Sequence, residues 1–116
     1  MTTTFLRPFR ESLLSLRREL AADGLETAAE WDSALDLRDT MGPQMPENRS
    51  IFVFCPVALL HATQAGKPAA ALAIVTLQSL GKHTLVSLLG QGPSAERASA
   101  AILRCARQLP PLRHAA

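Results

Sequence analysis

The chain has 116 residues, 47% of them hydrophobic and 19% charged, which suits one globular domain and excludes both a disordered polymer and two ordinary domains. The opening MTTTFLRPFR has no signal-peptide pattern and no apolar run approaches the ~20 residues of a membrane span, so a cytoplasmic protein is expected. Net charge is +2 but uneven: Met1 to Ser50 holds nine acids and six bases, a net of −3, while Ile51 to Ala116 holds one acid, Glu96, and six bases, a net of +5. Such a split suits a basic surface for an anionic ligand or nucleic acid, or acidic and basic faces that meet in a dimer or face water. No basic cluster is interleaved with aromatics, which favours the second reading and makes nucleic acid an unexpected partner.

Thr2 to Leu6 is short and β-leaning, enough for an edge strand. Pro8 fits the first turn of a helix whose apolar face is Phe9, Leu13, Leu16 and Leu20, with Arg10, Arg17 and Arg18 off that stripe. Gly24 ends this helix and Leu25 packs back on its last turn. Leu25 to Asp32 alternates as a half-buried strand, with Leu25, Thr27, Ala29 and Trp31 on one side, so Trp31 is expected to pack on the helix face. A tryptophan is also a stacking platform, and Trp31 is for that reason a candidate ligand contact. Ala34, Leu37 and Met41 mark a short helix or turn, and Gly42-Pro43 with Pro46-Glu47-Asn48 reads as loop.

Ile51 to Cys55 is an unbroken apolar run, the pattern of a strand central in its sheet, and Pro56 stops it. Val57 to Gln64 has helical spacing up to Gly66-Lys67-Pro68, and this strand and helix are expected to form a central strand and a crossover. Ala69 to Ser79 and Lys82 to Leu89 form a hairpin about Leu80-Gly81. Ser94 is the predicted N-cap of a last helix with Ala98, Ile102, Cys105 and Leu109 on its apolar face, closed by Pro110-Pro111. One domain over residues 1–110 with a tail over 111–116 is the expected organisation.

Chemistry is sparse. Cys55 stands where strand gives way to helix, a place where unpaired backbone N–H groups lower a thiol pKa, so it is a candidate nucleophile or ligand contact. His61 follows by six residues and is its candidate partner, although nearly two helical turns separate them. The plainer reading makes Cys55 a buried strand residue and His61 a surface residue. Cys55 and Cys105 are expected as reduced thiols without a disulfide. The cysteines and histidines show no zinc-like spacing, and no phosphate loop, nucleophile elbow or dinucleotide fingerprint is present, so neither metal nor cofactor is expected.

Three segments, ADGLETAAEWD, LRDTMG and PENRSIFVFCPVALLH, together with the hairpin and the helix after Pro93, resemble an uncharacterised bacterial family, domain of unknown function 302 (DUF302). In it a glycine-ended helix, a strand, a turn, a Pro, an apolar strand, a Cys and a His six residues later come in this order. The chain departs from it at Val53-Phe54, where a Gly-Ala pair is common, and at Ala71-Leu72, where many members carry a second Pro-Cys. The resemblance implies an α+β domain, a small antiparallel sheet with helices packed on it, similar to the TATA-binding-protein or helix-grip architecture, and a homodimer. Together, residues and resemblance predict a non-catalytic homodimeric module for a small-molecule ligand or an interaction. The alternative is a thiol-dependent protein that handles sulfur, a redox signal or a metal through Cys55.

Overall fold

The computed structural model of the chain describes residues 1–42, 45–66 and 72–108. Its elements run β1 (Thr2–Phe5), α1 (Phe9–Ala22), β2 (Glu26–Asp32), α2 (Ser33–Met41), β3 (Asn48–Phe54), α3 (Pro56–Gln64), β4 (Ala73–Ser79), β5 (Thr84–Leu89) and α4 (Pro93–Gln108). The strands form one antiparallel sheet in the order β1-β5-β4-β3-β2. This is the expected α+β class, with β1 at an edge. The strand before Cys55 is longer than its apolar run, starting at Asn48, and it lies beside the central β4. Because β3 and β4 are antiparallel neighbours, α3 joins the ends of adjacent strands and is no crossover. Of the predicted loop and hairpin, Pro43 and residues 69–71 lie outside the described residues, as do Leu109 and the proline pair after α4.

Helices α1 and α4 pack on each other and on one face of the sheet. The α1 stripe Phe9, Leu13, Leu16 and Leu20 is buried as its spacing requires, against Ile51, Val53, Val75, Leu77 and Val86. Small residues let the helices approach: Ser12 and Ser15 are buried on α1, and Ala98, Ala101 and Cys105 on α4. The Ser15 hydroxyl lies 3.8 Å from Cys105 Sγ, which supplies a weak acceptor in the seam. Burial pushes the Cys105 thiol pKa up, and the Ser15 hydrogen bond opposes this in part.

Gly24, at φ 76, closes α1 in a double turn. Its N–H donates to the Ala21 carbonyl (3.0 Å) and the Leu25 N–H to the Leu20 carbonyl (3.1 Å), while Leu20 and Leu25 are both buried. The two charge-biased halves of the chain meet here. Arg104 of α4 pairs with Glu19 and with Asp23 at 3.0 Å each, and Arg97 donates to the Asp23 carbonyl at 3.0 Å. Hydrogen bonds to Asp23 and Glu19 hold the Arg104 pKa above its ordinary value. Part of the acidic and basic imbalance is therefore matched inside one chain.

Trp31 departs from the expected arrangement. Glu26 pairs with Phe54 and Thr27 with Val53, but the next pairs are Ala29 with Phe52 and Trp31 with Ser50, so the register slips by one residue at Ala28. Because side chains alternate with period two, the bulge reverses the facing of everything after it. Leu25 is buried under the helices, whereas Trp31 is turned to the opposite side and is 45% exposed, its indole N–H donating to Asp36. Glu30 and Asp32 are delivered to the helix side, where Arg17 and Arg49 receive them.

Candidate functional site

Cys55 is the N-cap residue of α3 and its carbonyl accepts from the Leu59 N–H at 3.0 Å. Pro56 at the first helical position needs no acceptor, so the strand ends and the helix starts within one residue. The Cys55 N–H donates to Ser94 Oγ at 3.0 Å. Ser94 is thus not the cap of its own helix: α4 starts one residue earlier, at Pro93, with the Glu96 N–H donating to the Gly92 carbonyl, and the Ser94 side chain is turned inward.

The thiol-bearing residue is 1% exposed and belongs to the hydrophobic core. His61 is exposed on α3, six positions on, which at 100° per residue is about 240° around the axis, and among the described residues no hydrogen bond joins it to Cys55. Trp31 stands at the far edge of the sheet, on β2. The structure therefore leaves these candidate residues apart: a core thiol, a surface imidazole and an indole on the open sheet face. Among the described residues no group of three or more His, Cys, Asp or Glu side chains is placed to hold a metal. No helix among them is long and apolar enough to cross a membrane.

A different place in the molecule is concave. A cleft of about 350 Å³ opens where the N-terminal half of α1 faces the junction of β2, α2 and β3. Phe9, Leu13, Leu14 and Ala34 supply its apolar wall, and Arg10, Arg17, Asp32, Glu47, Asn48 and Arg49 its polar rim. Arg17 donates to both carboxylate oxygens of Glu30 at 2.9 and 2.8 Å, and Arg49 pairs with Asp32 at 3.2 Å. The second Asp32 oxygen accepts from the Leu35 N–H at 3.0 Å, fixing the start of α2, and the Ser33 hydroxyl bonds Asn48 at 2.9 Å. Sequence reasoning passed over this cleft. Its signal is a second stripe on α1, Arg10, Leu14 and Arg17 at i, i+4 and i+7, which spacing alone presents as solvated surface.

No protein-family model and no curated protein matches the chain. Among solved structures it is similar to an uncharacterised conserved DUF302 protein from Bacillus stearothermophilus, with a TM-score of 0.65 over 95% of this chain and 97% of that one, at 10% sequence identity. The chain has the DUF302 fold. The resemblance carried by the three sequence segments is matched by the architecture, and at this identity what the likeness shows is the fold.

Proposed function

We propose that this DUF302-like chain is a non-catalytic interaction module that works as a homodimer, two copies meeting through the open face of the sheet. One observation carries the reading. Helices α1 and α4 lie on one face, and the register turns Phe52, Phe54, Ile74, Leu85, Leu89 and, by the bulge, Trp31 to the other. Trp31 is 45% and Leu89 68% exposed, and the other four are half-buried. The positions between them hold Thr2, Thr4, Ser50, Thr76 and Ser87, which add no charge, and the carboxylates on this side, Glu26 opposite Phe54 and Asp36 beside Trp31, stand at the β2 edge.

A face whose middle carries no charge is suited to its own copy, because a two-fold contact places like against like. Strands ~4.8 Å apart and about six residues long at ~3.4 Å per residue give a five-stranded face of roughly 500 Å² before side-chain relief is counted. Two such faces approach the ~1,200 Å² at which specific interfaces begin. The burial of Cys55 supports a module without thiol chemistry. Trp31 is the reporter: pairing shifts its emission to the blue as protein concentration rises, and Leu89→Asp abolishes the shift. Emission independent of concentration from nanomolar to tens of micromolar would refute the pairing.

A further inference from the structure

We propose that the cleft between α1, β2, α2 and β3 binds a small zwitterion with an apolar body, of the α-amino-acid class. This goes beyond the pairing of two copies and holds for a monomer as well. The volume of about 350 Å³ falls in the range of small-molecule sites, ~300–1,000 Å³. Two of its three arginines are committed to the chain itself, Arg17 to Glu30 and Arg49 through one Nη to Asp32, whose oxygens are both engaged. These pairs stiffen the walls and cancel each other's charge.

What remains on the rim is one group of each sign. Arg10 is exposed and has no carboxylate partner among the described residues, and Glu47 is exposed and has no cationic one. The Arg49 guanidinium pairs through one Nη alone, its Nε lying buried beneath the surface without an acceptor, while the side chain stays 23% exposed at the rim. A guanidinium with one edge committed gains from an added acceptor on its exposed side. A lone anion would meet Glu47 and a lone cation would meet Arg10, whereas a ligand carrying both charges satisfies both. Its carboxylate lies toward Arg10 and the free edge of Arg49, its ammonium toward Glu47, and its side chain against Phe9, Leu13 and Leu14.

The test is calorimetric titration of the full chain with L-leucine and L-phenylalanine, each compared with its carboxylate lacking the amine and its amine lacking the carboxylate. The Leu89→Asp chain is titrated in parallel, so that loss of pairing and loss of binding are read separately. At least one amino acid saturates the chain below about 10 mM, and its two truncated analogues bind about tenfold more weakly or worse. Arg10→Gln lowers that affinity about tenfold, and Glu47→Gln erases the preference for the zwitterion over the simple acid; both residues are exposed, and circular dichroism checks that the variants fold. Absence of saturable heat with either amino acid, a truncated analogue that binds as tightly, or an Arg10→Gln chain with unchanged affinity overturns the assignment.

Discussion

Single side chains here decide between chemistry and structure. Cys55 occupies a position that sequence alone leaves open, because a thiol at a strand-to-helix turn reads equally as a nucleophile or as core. Its 1% exposure and its place among Val53, Val75 and Ala98 make it core. In the folded protein Cys55 should therefore react with iodoacetamide far more slowly than a free model thiol, and reach that rate only in denaturant; a fast native reaction would restore the thiol-dependent reading. Ser94 is legible only from the structure, since its bond to the Cys55 N–H spans 39 positions of sequence. Ser94→Ala strands a buried donor and should lower stability by about 1–3 kcal/mol, measured by urea unfolding. Cys105 gives a pH dependence. Its folded pKa lies above the unfolded value of ~8.5, so its contribution is fully present below that pH. As pH rises further the unfolded chain releases the proton first and stability falls, until the folded thiol titrates too. The urea midpoint should drop through this alkaline range in the wild type and drop less in Cys105→Ala.

At the level of elements, periodicity was informative wherever the backbone stays regular. The stripe of α1, that of α4 as far as Cys105, the glycine end of α1 and the β4–β5 hairpin from Ala73 onward all follow from spacing and turn chemistry, and each is found in its place. Alternation failed in β2 because a bulge adds one residue that no local propensity announces. That residue moves Trp31 from the helix side to the open face and moves Glu30 and Asp32 to Arg17 and Arg49, so it shapes the open face and the cleft rim together. The cleft was hidden for the same reason: its ion pairs join α1 and β3 to a strand whose register must be known first. A similar close fit holds where β5 ends. Gly90, at φ 137, has its missing Cβ position 3.2 Å from Ala73 Cα and 3.3 Å from the Leu72 carbonyl oxygen. Gly90→Ala combines this contact with left-handed strain and should cost about 1–3 kcal/mol by thermal or urea unfolding.

For the whole molecule, the two faces of the sheet are covered differently. One is closed by α1 and α4, whose charges are joined through Arg104, Glu19 and Asp23; the other carries aromatic and aliphatic groups that no helix pair covers in the same way. Fold class was readable because composition, glycine positions and the order of elements agree with one another. The open apolar face was not, since half-buried residues such as Phe52 and Ile74 look in sequence like any two-sided strand. Sedimentation velocity reads the pairing of that face directly. At micromolar concentration the wild type should sediment as a species of twice the 12.5 kDa chain mass, and Leu89→Asp, folded by circular dichroism, as the single chain. A wild type that stays at 12.5 kDa at tens of micromolar, or a Leu89→Asp chain that still pairs, would show that the open face of the sheet does not join two copies.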